Sequence, residues 1–314
     1  MSQFEPQLSV IIVVGTRRDR AGRALKSILS QDGMEQAEVI LVDTQAAAAP
    51  VAGSDHPAVR TILLAGHSTF GEARAAGVRQ ARGRHVAFLE EHSVAFAGWL
   101  KTILSALNGP WVGVGAEIHN ANAGVGISDA VWLMNYHPSY RPPARYGPSR
   151  NIPGHNSAYR RDVLMALQDE LPPLLQSEVL LHWRLRQQGH EIGLDPAMKL
   201  SHMGETTVVG IVVGYFVMHQ HFAALRSSGS GRPFLMRILR VLATPLVPFV
   251  RFTRFAYAAL RQRPADLKII VRFPLVILIA QSAAALGMAA GYLFGPGNSE
   301  TRFLELETSA SRGE

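Results

Sequence analysis

Behind the apolar run from His85 to Leu89 the chain releases two carboxylates and an imidazole in succession, Glu90, Glu91 and His92. The run reads as a buried strand, and Gly98-Trp99 as the opening of a helix. In an open α/β sheet, ligands bind outside the carboxyl ends of the strands, so these three side chains stand where chemistry is expected. Asp43 has the same placement behind the run Val39 to Val42. Taken alone, it reads equally well as a turn or cap residue. Further along, Glu178 and His182 share one face of a helix expected over residues 174–188. Glu178 also falls in that helix's first turn, where the dipole favours a carboxylate whether or not it is catalytic.

The surrounding sequence predicts the elements that would hold these groups. Leu8 to Val14 is a continuous β-branched run of the kind buried on both faces of a sheet. Asp19 is a candidate cap for the helix that follows, in which Ala21, Leu25, Ile28 and Leu29 recur at helical spacing. With the run at Val39 this makes a parallel crossover unit. Residues 71–82 are rich in alanine and glycine, so that helix can approach the sheet closely. Its Arg74 reads either as a phosphate contact or as an ion-paired surface residue. Trp99, Leu100, Ile103, Leu104 and Leu107 form a core-facing stripe, followed by a strand over 111–116. Residues 117–150 read as irregular and aromatic. A glycine turn at 151–154 leads into a helix, and a short strand over 190–194 is ended by a turn at Asp195-Pro196.

Composition narrows the function classes. The 314 residues are 47% apolar and carry a formal net charge of +7. The absence of cysteine excludes disulfides, thiolate catalysis and cysteine-ligated zinc. Neither a full dinucleotide-binding glycine pattern nor a P-loop occurs. Between Arg226 and Arg272 ten basic residues face a single acid, Asp266, and no charged residue occurs from Phe273 to Phe294. A basic stretch beside an apolar span about 20 residues long suits a membrane and its anionic lipid better than nucleic acid, for which no recognition motif is present. The opening residues predict no signal peptide. The expected division is a catalytic domain over 1–226, basic amphipathic interfacial helices over 227–268, a transmembrane or re-entrant helix over 269–295 and a flexible tail over 296–314.

The order of motifs resembles that of the family 2 glycosyltransferases. Ser9 to Arg17 parallels the family's Ser-Val-Ile-Ile-Pro-Thr-Tyr-Asn-Arg strand, and Leu25 to Gln31 its Leu-x-Ser-Leu-x-x-Gln helix. Val42-Asp43-Thr44 parallels Val-Asp-Asp, and Phe88 to Leu100 parallels Phe-Leu-Asp-x-Asp followed by Gly-Trp-Leu. Gly154 to Arg161, Ser177 to Gly189 and His202-Met-Gly204 match later motifs, so the likeness covers roughly residues 7–205 in order. Departures are Glu-Glu-His for the aspartates, Ser177-Glu178 for Glu-Asp, Val13 for proline and Ala76 for asparagine.

The resemblance implies an α/β fold of the GT-A, Rossmann-like type, with a C-terminal helical, membrane-associated region. It implies transfer of a sugar, with inversion, from a nucleotide diphosphate sugar to a hydroxyl acceptor. Carried over by position, Val14, Thr16 and Asp43 face the nucleotide, Arg74 the diphosphate, and Glu90 and Glu91 the donor. Glu90, His92 and His202 take the places that hold a divalent cation, manganese before magnesium because of the imidazoles. Glu178 takes the place of the base. His155, Asn156, Arg160, Arg161 and His182 fall on the acceptor or phosphate side. A metal-free variant would use Arg74, Arg160 or Arg161 in place of the ion. Membrane attachment suggests a lipid-linked acceptor, a role in cell-envelope polysaccharide, and an active site on the cytoplasmic face with the tail outside. The alternative is a non-catalytic domain of the same fold that binds a nucleotide sugar or a membrane partner.

Overall fold

The computed structural model describes residues 5–45, 48–64, 69–136, 138–154, 156–228 and 234–308. In chain order the elements are β1 (Leu8–Val14), α1 (Arg18–Leu29), β2 (Ala37–Asp43), β3 (Val59–Leu63), α2 (Phe70–Gln80), β4 (His85–Leu89), β5 (Ser93–Ala95), α3 (Trp99–Leu107), β6 (Gly113–Asn120), α4 (Ser128–Asn135), β7 (Gly147–Ser149), β8 (Asn156–Arg160), α5 (Arg161–Met165), α6 (Leu171–Gln176), α7 (Glu178–Gln187) and β9 (Ile192–His202). Six further helices follow: α8 (Val208–Ser228), α9 (Phe234–Ala243), α10 (Val247–Gln262), α11 (Asp266–Arg272), α12 (Pro274–Phe294) and α13 (Ser299–Thr308).

The chain forms two compact units. The first holds residues up to 121, residues 139–203 and Thr308; the second holds 122–138 and 204–307. The boundary differs from the one expected at residue 226: α8 and α4 belong with the later helices, because their apolar faces are covered there. Residues 299–308, expected to be flexible, form a helix.

In the first unit the sheet runs β3-β2-β1-β4-β8-β6-β9-β5, with β7 added beside β9. Strands β1 to β4 are mutually parallel where they pair, and β8 enters antiparallel between β4 and β6. All residues of β1, β2 and β4 are buried, as unbroken apolar runs require in a sheet covered on both faces. Helix α2 starts from a capping box of Thr69 and Glu72. A Cβ on Gly77 would lie 2.6 Å from the Ile11 side chain, so the small residues of α2 do let it lie against β1. Asp19 is not the cap of α1; Arg17 holds that position, and Asp19 pairs with Arg17 and Arg23 from the first turn.

Two stretches are more regular than their sequence suggests. Residues 117–150 contribute the end of β6, then α4 and β7. The turn expected at Asp195-Pro196 is instead a bulge within β9: Leu194 pairs with Gly115 and Lys199 with Glu117, and the extra residues are looped out between them. The strand therefore continues to His202.

In the second unit α12 lies along α8. A Cβ on Gly287 or Gly291 would collide with the backbone carbonyl of Phe216 or Gln220, so this Gly-x-x-x-Gly pair sets how closely the helices approach. Ile127, Val131, Ile211, Tyr215, Ala280 and Ala284 form one apolar cluster, and Ala130, Leu133, Ala259, Ile270 and Ile277 another. Both α8 and α12 are long and apolar enough to cross a membrane.

Candidate active site

The end of β4 delivers Glu90, Glu91 and His92 in three consecutive residues, and the end of β9 delivers His202. Pairing of Ser93 in β5 with His202, and a hydrogen bond from the Met203 amide to the His92 carbonyl, lock the two segments together. The His202 Nε2 then lies 2.9 Å from His92 Nε2 and 3.0 Å from Glu90 Oε2, and His92 Nε2 is 3.2 Å from the same oxygen. All three side chains are buried. Two mutually adjacent ligands on an octahedral ion about 2.1 Å away are about 3.0 Å apart, which is the spacing of these three atoms. A carboxylate with two imidazoles is also a donor set suited to a divalent cation. The residues thus fit the ion.

Glu91 points the other way. Its Oε2 accepts the Gly15 amide at 2.8 Å, bracing the end of β1 against the end of β4. Beside it, Asp43 is engaged by Arg18 through two hydrogen bonds of 2.9 and 3.0 Å, and its Oδ1 also accepts the Gln45 amide. Sequence reasoning did not single out Arg18; its signal was its place one residue beyond the Thr16-Arg17 end of the first motif. Val14 is buried and its carbonyl accepts from Thr44. The amide and hydroxyl of Thr16 both donate to the Thr308 carbonyl. That contact joins residues 292 apart and had no signal in the local pattern.

Glu178 begins α7. A Cβ on Gly154 would sit 2.6 Å from the Glu178 Cβ and Cγ, so the glycine turn before β8 is the space the glutamate side chain occupies. Glu178 is close enough to Tyr140 and Tyr159 that its charge, after burial, helps push both phenol pKa values up.

Several residues assigned to the acceptor or phosphate side serve the scaffold. His182 is fully buried, with Nε2 2.8 Å from the Tyr159 hydroxyl, and burial pulls its pKa down to about 3. The neutral ring shares this hydrogen bond with the phenol and is held in the core. Asn156 is buried and accepts the Trp99 indole N–H at 3.2 Å. Arg160 donates to the carbonyls of Leu107 and Gly109, and Arg161 to that of Val78, so each caps the carboxyl end of a helix. Arg74 is buried, with its guanidinium over the rings of Phe70 (4.3 Å) and Phe88 (5.3 Å) and a 3.4 Å hydrogen bond to the Leu175 carbonyl. His155 lies outside the described residues.

A mixed sheet of this order, with an acid-and-imidazole cluster at the ends of β4 and β9 and a C-terminal helical region, is the GT-A fold. The sequence matches glycosyl transferase family 2 over residues 9–168, and the chain belongs to that family of glycosyltransferases. The likeness to solved structures is distant. A mannosyltransferase from Pyrobaculum calidifontis, PcManGT, solved with GDP-Man and Mn2+, shares 15% identity with a TM-score of 0.58, covering 93% of this chain and 88% of that one. Residues 1–349 of TarS from S. aureus share 14% identity with a TM-score of 0.50, covering 91% of both chains. The succinoglycan biosynthesis protein ExoO of Rhizobium meliloti (strain 1021) is 36% identical over 87 residues, which is 27% of this chain and 25% of that protein.

Proposed function

We propose that the chain moves a sugar, with inversion, from a nucleotide diphosphate sugar to a hydroxyl acceptor at a membrane. The observation that carries this reading is the convergence of Glu90 Oε2, His92 Nε2 and His202 Nε2 within 3.2 Å of one another, in the same unit as Glu178. These three side chains would hold a divalent cation, with manganese favoured by the two imidazoles. Bound there, the cation supplies positive charge for the departing diphosphate.

The chain's own residues do the rest. Glu178 takes the proton of the acceptor hydroxyl as that oxygen attacks the anomeric carbon from the face opposite the leaving group. The ends of β1 and β2, with Val14, Thr16 and Asp43, receive the nucleotide. Binding at the Thr16 amide would displace the Thr308 carbonyl that now accepts from it. Arg18 holds the Asp43 carboxylate in one orientation, and Glu91 fixes the Gly15 amide. The GDP-Man and Mn2+ in PcManGT support the donor class and the choice of ion. The two long apolar helices support a membrane setting, and the arginines before Phe273 support a cytoplasmic face for the catalytic unit, where nucleotide sugars are made. The name of ExoO, a succinoglycan biosynthesis protein, supports a polysaccharide product, and the lipid-linked acceptor follows from the membrane setting.

The test is turnover of a panel of nucleotide sugars by detergent-purified protein with manganese, with magnesium and with a chelator. One donor should turn over and the chelator should abolish it. Glu178→Gln should lose about a hundredfold or more in turnover while still binding the donor. Full activity in Glu178→Gln would remove the base assignment, and activity unaffected by the chelator would remove the metal.

A further inference from the structure

In the second unit one cation is held in place without a counter-charge. Arg251, on α10, donates from Nη1 to His219 Nε2 at 2.8 Å and to Gln281 Oε1 at 2.9 Å. The His219 tautomer is set by its other nitrogen, whose N–H donates to the Tyr215 carbonyl at 2.9 Å, leaving Nε2 to accept. Both hydrogens of Nη1 are therefore used, and α8, α10 and α12 together orient the guanidinium. Its Nε and Nη2 make no hydrogen bond to any described residue, and none of the described carboxylates pairs with it. These two nitrogens form the side of a guanidinium that grips an oxyanion through two parallel hydrogen bonds. Arg254 lies one turn along the same helix, and α10 contains no acid. Burial lowers the Arg251 pKa and Arg254 lowers it further, so the charge gains most from an anion supplied from outside.

The surroundings say what kind of molecule carries that anion. Of the large apolar side chains that the structure leaves exposed, all but Leu63, Phe96, Val125 and Tyr146 lie between Val208 and Phe294. On α10 itself Phe249, Tyr257 and Leu260 are more than 60% exposed. Phe249 and Leu260 lie on the far side of α10 from Arg251, so an oxyanion at Arg251 would belong to a molecule whose apolar part meets the uncovered face of this helical unit. We infer that Arg251, oriented by His219 and Gln281 and flanked by Arg254, is a binding site for the headgroup phosphate of an anionic phospholipid. This inference rests on the membrane setting proposed above and adds a defined phosphate position to it.

The experiment is native mass spectrometry of the full chain in a maltoside detergent, titrated with phosphatidylglycerol, with diacylglycerol of the same chains and with inorganic phosphate. The unaltered protein should retain phosphatidylglycerol and neither of the other two. Arg251→Lys keeps the charge but loses the fork, and Arg251→Gln loses both. Each should weaken retention about tenfold or more, whereas Arg261→Gln should not. Equal retention by the Arg251 variants, or retention of diacylglycerol as strong as that of phosphatidylglycerol, overturns the site while leaving membrane association intact. Strong binding of inorganic phosphate overturns the lipid assignment, and no lipid retained by any form overturns the membrane setting as well. A measurement free of any folding defect in a variant is phenylglyoxal labelling of Arg251 in the unaltered chain. Phosphatidylglycerol should protect the residue and diacylglycerol should not; labelling unchanged by phosphatidylglycerol overturns the site.

Discussion

His182 and His202 are both buried, yet they meet different neighbours. His202 faces a carboxylate and a second imidazole, the surroundings that attract a cation. His182 faces a phenol in the core, and burial holds its pKa near 3 against an ordinary 6.5. Between those values the unfolded chain binds a proton at this ring that the folded chain refuses. Its contribution is thus complete above pH 6.5 and falls as the pH drops towards 3, by about 1.4 kcal/mol per unit. Urea titrations at pH 7 and pH 5 should show the unaltered protein losing about 2 kcal/mol more than His182→Gln. Identical losses in the two would mean that the ring is not held neutral.

At the scale of elements, the glycine turn before β8 and the start of α7 are shaped to each other. Gly154 is the one residue type that leaves the Glu178 side chain its place, because any Cβ would overlap three of its carbons. On the proposed role of Glu178 as base, Gly154→Ala should therefore cost turnover rather than fold, with kcat down about tenfold or more as that side chain is displaced. Circular dichroism should stay unchanged and donor KM should move little. An unchanged kcat would place the reacting hydroxyl away from Glu178. The bulge in β9 has a comparable role: if its residues paired regularly with β6 instead of looping out, Lys199 would face Asn120 and His202 would be carried past His92.

At the scale of the whole molecule, apolar surface is concentrated in the helical unit, where α9 and α10 place arginines among exposed leucine, phenylalanine and tyrosine side chains. Electrostatic attachment alone is screened by salt within a few ångströms at about 1 M, whereas burial of apolar area in lipid is not. The chain should accordingly stay with the membrane fraction in high salt and leave it in detergent. Release by salt alone would reduce the helices to a surface-bound role.

Much was determined by the sequence alone. Short β-branched runs bounded by turn residues predicted the buried strands, and the small residues of α2 allowed close packing on β1. The order of short motifs identified the family, and Glu90, His92 and His202 were picked out together although 110 residues separate the histidines. Tertiary structure decided what the remaining polar residues do. Asn156, Arg160, Arg161 and His182 had types suited to a polar ligand, but the sheet and helix ends offered them carbonyls, an indole N–H and a phenol first. The Arg18–Asp43 pair, the Thr16–Thr308 contact and the fit of Gly154 to Glu178 were equally out of reach of local pattern. The physical reason is that strand and helix propensities follow from neighbours in sequence, whereas the partner of a buried charge or amide is whichever group the folded chain brings within about 3 Å.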